Sequence, residues 1–176
     1  MLYVGQLLPL KGVALAIRTL TLLPEWHLVL CGDGPDRARL EKLARRLGVR
    51  GRVRFLGRRS REEARRLMKD SGDVLIFPSL HDEGGFAVVE ALAAGLPVVC
   101  LDRGGPPVLG GTPVPATTMS RTVRALADAV LDARGQRPVP YRGMAAHVAR
   151  LRSLVDQLAP SSDRGTHVDA SGGDTA

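Results

Sequence analysis

Two carboxylates, Asp82 and Glu90, lie eight residues apart in a segment that begins as a loop and continues as a predicted helix. At a helical rise of about 1.5 Å per residue, they are on the order of 12 Å apart. That separation exceeds the roughly 5 to 10 Å between the paired acids of a glycoside hydrolase. It suits the two hydroxyl-bearing ends of one extended ligand with phosphates between them. The alternative is structural, with Asp82 capping the helix and Glu90 facing solvent.

A glycine pair, Gly84 and Gly85, comes just before this helix. Glycine lets the backbone approach a ligand closely. The first turn of a helix presents unpaired N–H groups and the positive end of the helix dipole. We therefore predict a phosphate-binding loop here. The helix is predicted to end near Gly95, and the apolar run 96–101 follows as a buried strand, which makes half of a βαβ unit.

The length and composition favour one globular domain. A chain of 176 residues with 44% hydrophobic residues can build a sizeable core but not two full α/β domains. No apolar stretch has membrane-spanning length and no signal-peptide pattern opens the sequence, so a cytoplasmic protein is expected. Cys31 and Cys100 each end an apolar run and are expected to be reduced core residues.

The net charge of +7 comes mainly from arginines, many of them between Arg45 and Arg66. We prefer the interpretation that they solvate helices. Peripheral contact with the anionic inner face of a membrane is the second interpretation. Nucleic acid is not expected as a partner, because aromatic residues make up only 3% and no nucleic-acid motif accompanies the charge.

Strand-like apolar runs and helical periodicities alternate along the chain, which predicts an α/β fold with a Rossmann-like parallel sheet and helices on both faces. The domain is predicted to span residues 1–159. Residues 160–176 are expected to be disordered, because they carry few apolar side chains. Strands are predicted at 1–5, 26–31, 53–57, 73–79, 96–101 and 110–115, and helices at 13–23, 35–47, 60–69, 86–94, 121–133 and 142–158.

Ligands of such sheets bind outside the carboxyl ends of the strands, where the strand order reverses. The loops expected there contain glycines, one lysine and several carboxylates. A Gly-x-Gly-x-x-Gly motif does not follow the first strand and no Gly-Lys-Ser/Thr loop occurs. A dinucleotide dehydrogenase and a P-loop NTPase are therefore both disfavoured.

Four motifs in one order resemble the nucleotide-sugar-binding, C-terminal half of the GT-B glycosyltransferases, most closely the retaining family 4. That family carries Gly-Arg-x-x-x-x-Lys-Gly, Gly-x-Gly-Pro, Val-x-Phe-x-Gly and an acidic Glu-x7-Glu segment. The resemblance covers roughly residues 2 to 135. The corresponding segments are Gly-Gln-Leu-Leu-Pro-Leu-Lys-Gly at 5–12, Gly-Asp-Gly-Pro at 32–35, Val-Arg-Phe-Leu-Gly at 53–57, and Asp82 with Glu90.

The resemblance implies transfer of a hexosyl group from a nucleoside-diphosphate sugar to an acceptor with retention of configuration. Lys11 would hold the diphosphate together with the amides around Gly84 and Gly85. Glu90 would bind the ribose hydroxyls, and Asp82 would contact the donor sugar. No metal or other cofactor is implied, because Lys11 and the helix dipole can neutralise the leaving diphosphate.

The remaining positions implied by the resemblance surround the nucleotide base and the phosphates. The segment from Val53 through Phe55 to Arg58 would flank the base with its backbone. Gly32 and Gly34 would leave room beside it. Gln6 and Phe86 would complete the site from the first loop and the acidic loop.

Two features depart from the family pattern. Gln6 replaces the usual arginine and removes one phosphate-binding charge. Asp82 replaces the first glutamate with a shorter side chain. The loop reads Glu83-Gly84-Gly85-Phe86 where Gly-Phe-Gly is commoner, so Glu83 is an alternative to Asp82.

A GT-B enzyme has a second α/β domain in front of this one, which binds the acceptor and covers the cleft. We expect that domain to be missing from this chain or to act in trans, and the face it covers to carry apolar surface. The alternative is a non-catalytic nucleotide-sugar-binding or regulatory module. The sequence leaves the base, the sugar and the acceptor open.

Overall fold

A computed structural model describes residues 1–70, 73–82 and 85–136. Six strands form one sheet in the order β3-β2-β1-β4-β5-β6, and every pair of neighbours is parallel. The strands are β1 Leu2–Val4, β2 Leu28–Cys31, β3 Val53–Gly57, β4 Leu75–Phe77, β5 Val98–Leu101 and β6 Thr112–Val114.

Five helices cover the two faces of this sheet. Helices α1, α2 and α5 contribute to one hydrophobic cluster with Leu30 and Ile76 of the strands. Helices α3 and α4 contribute to the other, with Leu75 and Phe77. The helices are α1 Val13–Thr19, α2 Arg37–Arg46, α3 Arg61–Asp70, α4 Phe86–Ala93 and α5 Met119–Ala133, with short 3-10 turns at Pro9–Lys11, Leu20–Leu22 and Arg50–Arg52.

The strand order reverses between β1 and β4. The chain runs outward from β1 to β3, crosses back to the far side of β1, and then runs outward again from β4 to β6. A reversal of this kind opens a crevice at the carboxyl ends of the two central strands, where ligands of open α/β sheets bind.

The predicted α/β fold class is confirmed, and each predicted strand contains an observed one. A capping box formed by Ser60 and Glu63, three residues apart in the sequence, begins α3. Ser60 Oγ accepts the N–H of Glu63 at 3.2 Å, and the Ser60 N–H donates to Glu63 Oε2 at 2.8 Å. Pro35 was expected in the first helical turn, but α2 begins at Arg37.

Three expectations about the C-terminal part of the chain fall outside the described residues. These are the helix predicted at 142–158, the domain boundary at residue 159 and the tail from residue 160. Within the described part of the chain, no helix combines the length and apolar character required to cross a bilayer.

Candidate active site

Asp82 joins two loops at the carboxyl ends of the central strands. Lys11 ends the 3-10 turn after β1, and its Nζ lies 2.5 Å from Asp82 Oδ2. The other carboxylate oxygen, Oδ1, accepts the N–H of Gly85 at 2.8 Å, where α4 begins. We call Lys11, Asp82 and Gly85 the Asp82 cluster. Asp82 is not the N-cap residue of α4, which is Gly85, but its carboxylate binds the N–H of that residue as well as the lysine.

Backbone groups pack closely around the Asp82 cluster. Gly12 has φ +64°, and a Cβ placed there would lie 1.9 Å from the carbonyl oxygen of Pro78. A Cβ on Gly104 would lie 2.5 Å from the carbonyl oxygen of Asp82, which accepts the N–H of Gly105 at 3.1 Å. These contacts hold the loops after β1, β4 and β5 against one another.

Glu90 is held by two arginines of α3. Arg61 Nε lies 2.6 Å from Glu90 Oε1, and Arg65 Nη2 lies 3.4 Å from the same oxygen. The glutamate side chain is 18% exposed. We call Arg61, Arg65 and Glu90 the Glu90 cluster. The alternative in which Glu90 simply faces solvent is wrong, because α3 packs beside α4 and brings both guanidinium groups to the carboxylate.

A cavity of about 310 Å³ opens at the carboxyl ends of β1 and β2. Gln6, Gly32, Arg58 and Glu90 line it, together with Arg61. An adjoining cavity of about 510 Å³ is lined by Gly34 and shares Gln6 and Arg58 with the first. The structure thus brings together five of the positions that the sequence assigned to the nucleotide.

Contacts from Tyr3 and from the loop after β2 hold the loop after β1 in place. The hydroxyl of buried Tyr3 donates to the carbonyl oxygen of Gln6 at 2.8 Å. Burial raises the pKa of Tyr3, so its hydroxyl remains a donor at neutral pH. Gly32 and Gly34 also contact this loop, since Cβ atoms there would lie 1.8 Å from Gly5 O and 2.4 Å from Leu7 O. The two glycines allow the loop after β2 to pack against the loop after β1.

Val53 and Phe55 do not line either cavity. Val53 begins β3, pairs with Leu28 and is fully buried, at the opposite end of the strand from Arg58. Phe55 packs against the core, and the guanidinium groups of Arg37 and Arg50 lie 5.6 and 5.8 Å from its ring centroid. Of this segment, Arg58 lines the two cavities, whereas the base-flanking role assigned to Val53 and Phe55 stays a prediction.

The end of the acidic loop contributes two further predicted residues. Gly85 precedes α4 with φ +48°, and a Cβ there would lie 2.4 Å from Leu109 Cδ1. Phe86 opens α4 and is 74% exposed. Glu83 and Gly84 lie outside the described residues, so the roles assigned to them stay predictions.

Four exposed hydrophobic side chains lie in segments that follow the carboxyl ends of strands. Three lie in the loops that follow β1, β4 and β5, and one is the first residue of α4. Two of these loops are joined by a hydrogen bond of 2.8 Å from the Leu80 N–H to the Leu10 carbonyl. We call the four side chains the apolar rim. Its members are Leu10, Leu80, Phe86 and Val108. The expectation that a second domain covers an apolar face here stays a prediction.

Many arginines of α2 and α3 form ion pairs within their own helix or at its start. Arg66 pairs with Glu62, Arg59 with Glu63, and Arg39 with Asp36. Such pairs support the interpretation of these arginines as helix-solvating residues. Arg61 and Arg65 differ, since they reach across to α4, and the sequence interpretation missed them. The available signal was an arginine at the first position of a helix, where the dipole favours acidic residues.

The strand order, with a cavity at the carboxyl ends of the central strands, defines a Rossmann-like class of α/β domain. The model of the family "Glycosyl transferases group 1" matches residues 1–132. This match covers most of the chain, and the chain therefore belongs to that family.

Curated relatives agree with this assignment. An uncharacterized glycosyltransferase of Methanocaldococcus jannaschii is 41% identical, over 59% of this chain and 27% of that protein. A D-inositol 3-phosphate glycosyltransferase of Corynebacterium jeikeium is 30% identical, over 93% of this chain and 44% of that protein. The chain thus spans less than half the length of these relatives.

Solved structures show the same fold. Anabaena HepE, crystallised with UDP and glucose, superposes with a TM-score of 0.71 at 22% identity, over 90% of this chain and 47% of HepE. WaaG, a glycosyltransferase involved in lipopolysaccharide biosynthesis, gives a TM-score of 0.63 at 27% identity, over 92% of this chain and 42% of WaaG. The described sheet therefore corresponds to one half of a GT-B glycosyltransferase fold.

Proposed function

We propose that this chain is the donor-binding half of a retaining, family 4 type glycosyltransferase that transfers a hexosyl group from a nucleoside-diphosphate sugar to an acceptor. The observation that carries the proposal is the cavity at the carboxyl ends of β1 and β2, where Gln6, Gly32, Arg58 and Glu90 meet. The family membership and the UDP and glucose bound by HepE support the donor class.

In this proposal the two clusters bind different parts of the donor. Glu90 accepts hydrogen bonds from the ribose hydroxyls, and Lys11 places a positive charge on the diphosphate beside the start of α4. The diphosphate leaves as negative charge builds up on it, and a fixed cation and helix dipole stabilise that charge. We propose that no metal is needed for this step.

Asp82 has a different role from the one the resemblance implies. Both of its carboxylate oxygens have partners in the structure, Lys11 and the Gly85 N–H. We propose that Asp82 mainly orients Lys11 and the first turn of α4. A contact from Asp82 to the donor sugar would require one of these partners to be exchanged.

Titration calorimetry with uridine, guanosine and adenosine diphosphates tests the proposal. We expect one of them to bind, and Lys11→Ala and Glu90→Ala each to weaken it about 10- to 100-fold, because each removes a charge-assisted contact worth roughly 1.5 to 3 kcal/mol. Lys42→Ala is the matched control, since Lys42 is an exposed lysine on the outer side of α2. No heat with any nucleotide, or an unchanged affinity in the Lys11 variant, would contradict the proposal.

A second experiment addresses turnover. Holding donor and acceptor in reacting geometry can contribute about 7 to 11 kcal/mol to a transfer reaction. The described residues provide the donor side, and the apolar rim fits a surface that an acceptor-binding domain covers. We expect the 176-residue chain alone to transfer sugar negligibly and to gain activity when such a domain is supplied in trans or by fusion. Binding without turnover in either case would favour the non-catalytic module.

A further inference from the structure

We propose that Arg61, supported by Arg65, is a positioning residue that orients Glu90 toward the ribose of the donor nucleotide. Selectivity for a ribose over a deoxyribose would then depend on an arginine of α3. The inference rests on the proposed function of the cavity and concerns residues outside the motifs that suggested that function.

The hydrogen bonds of Glu90 are distributed unequally between its two oxygens. Arg61 Nε and Arg65 Nη2 both donate to Oε1, at 2.6 and 3.4 Å. Among the described residues, no donor forms a hydrogen bond to Oε2. Glu90 and Arg61 line the same cavity. The carboxylate is therefore anchored through one oxygen and can offer the other to a hydroxyl of a bound ligand.

The position of Arg61 in α3 is unfavourable for the helix itself. It is the first residue of α3, where the N–H groups and the positive end of the dipole favour acidic side chains. Glu62 and Glu63 follow this preference, and Glu63 completes the capping box with Ser60. A residue that violates the local preference is expected to serve a contact elsewhere. For Arg61 that contact is Glu90.

The spacing of the arginines supports a paired role. Arg61 and Arg65 are four residues apart, so they lie on the same face of α3. Buried Ala64 lies between them in sequence and lines the same cavity as Glu90. Its small side chain, on the side of α3 that packs against α4, leaves room for both guanidinium groups to reach Oε1.

The two partners of this ion pair differ in their exposure to solvent. The Glu90 side chain is 18% exposed, whereas the Arg61 side chain is 69% exposed. The carboxylate is thus mostly covered while the arginine stays in contact with solvent, so we expect the pair to orient the carboxylate more than to stabilise the fold. The exposed Arg61 side chain contacts the carboxylate from the solvent side. If the Arg61 guanidinium group competed with the ribose, we would expect it to bind both oxygens of the Glu90 carboxylate instead of one.

The test compares ribonucleoside and 2′-deoxyribonucleoside diphosphates on the 176-residue chain. Both nucleotides carry the same base, chosen as whichever of the uridine, guanosine and adenosine diphosphates binds most tightly. We expect the unchanged chain to prefer the ribonucleotide by about tenfold, the value of one hydrogen bond to a charged group. Arg61→Gln should reduce this preference to below about threefold while the affinity for the deoxyribonucleotide stays unchanged. Arg61→Lys should restore part of the preference, because it keeps the charge without the planar donor group.

Arg66→Ala is the matched control, because Arg66 lies on the same helix and pairs with Glu62. It should leave the preference unchanged. Three results with Arg61→Gln would overturn this inference but not the proposed function. The variant could keep the full preference for the ribonucleotide, weaken both nucleotides equally, or bind the ribonucleotide more tightly. An unchanged chain that binds both nucleotides equally would overturn it too. An unchanged chain that binds no nucleoside diphosphate would overturn the proposed function, and this inference with it.

Discussion

The Asp82 cluster and the Glu90 cluster each place one carboxylate beside cationic side chains, but they are built differently. Asp82 is fixed through both oxygens, by Lys11 and by a backbone N–H, and its own carbonyl accepts the N–H of Gly105. Glu90 is fixed through one oxygen and only by side chains. Asp82 holds three loops together through its carboxylate and its backbone carbonyl, whereas Glu90 has one carboxylate oxygen to which no described residue donates a hydrogen bond.

We therefore expect the Asp82 cluster to contribute mainly to the stability of the fold and the Glu90 cluster mainly to nucleotide binding. Changes around Asp82 should first lower the free energy of unfolding, because they break backbone contacts between loops. Changes around Glu90 should first lower the affinity for nucleotide, because the pair lies at the surface of two packed helices. The four predictions below test that separation.

The largest expected effect concerns Gly12, the residue that follows Lys11. Gly12→Ala should lower the free energy of unfolding by roughly 3 to 5 kcal/mol, since it combines left-handed strain with a clash against the Pro78 carbonyl. Gly48→Ala is the matched control, because Gly48 has a similar φ of +69° and no heavy atom within 4 Å of a Cβ placed there. It should cost only about 1 to 2 kcal/mol. Urea denaturation of both variants measures the difference, and equal costs would contradict the role of the close approach.

The second prediction compares the two carboxylates directly. Asp82→Ala should cost about 1 to 3 kcal/mol of stability, because it leaves the Lys11 ammonium and the Gly85 N–H without their partner. Glu90→Ala should cost less than about 1 kcal/mol, since the two arginines that it releases are largely exposed. Thermal denaturation checks the order of the two variants. A larger loss of stability for Glu90→Ala would show that the two clusters have the opposite roles.

The sequence predicted the fold well because its signals are local. Each strand is a short apolar run with turn residues beside it, and the capping box at Ser60 depends on residues three positions apart. Such features need no tertiary information. The first turn of α2 was placed two residues too early, because Pro35 fits both a helix start and the turn that precedes it here.

The site was predicted less completely, because much of it depends on tertiary packing. Arg61 and Glu90 are 29 residues apart in sequence, and only the packing of α3 beside α4 brings them together. The motif that contains Val53 and Phe55 marks a strand, whose length then carries these two residues away from the cavity. Gln6, Gly32 and Arg58 line one cavity because they closely follow parallel strands whose carboxyl ends share one edge.

The third prediction adds a charge to the cavity. Gln6 is exposed and lines both adjoining cavities. Gln6→Arg should strengthen the binding of a nucleoside diphosphate by up to about tenfold, because an arginine can donate two hydrogen bonds to a phosphate. Calorimetric titration measures the gain, and it should vanish with the unphosphorylated nucleoside. The same gain with the nucleoside would indicate contact with the base or the ribose.

The smallest expected effect concerns the capping box that begins α3 and so supports Arg61. Ser60→Ala should lower the free energy of unfolding by about 0.5 to 1 kcal/mol, because the Glu63 N–H loses its acceptor. The hydrogen bond from the Ser60 backbone N–H, followed by that with its hydroxyl, lowers the pKa of Glu63 in the folded protein. The unfolded chain therefore binds a proton at a higher pH than the folded protein does. The contribution of Glu63 is present above the ordinary glutamate pKa and is lost as the pH falls through the lowered one.

In Glu63→Gln, the free energy of unfolding should therefore decrease less between neutral and acidic pH than in the unchanged chain. Glu62→Gln is the control, because it removes one charge from the same helical turn. Because the capping box belongs to the helix that carries Arg61, Ser60→Ala should also weaken nucleotide binding slightly while leaving the Asp82 cluster intact. Urea denaturation at a series of pH values and a calorimetric titration at neutral pH measure the two effects. A Ser60→Ala variant that lost stability but kept full ribonucleotide preference would show that Arg61 holds Glu90 even when the first turn of α3 is loosened.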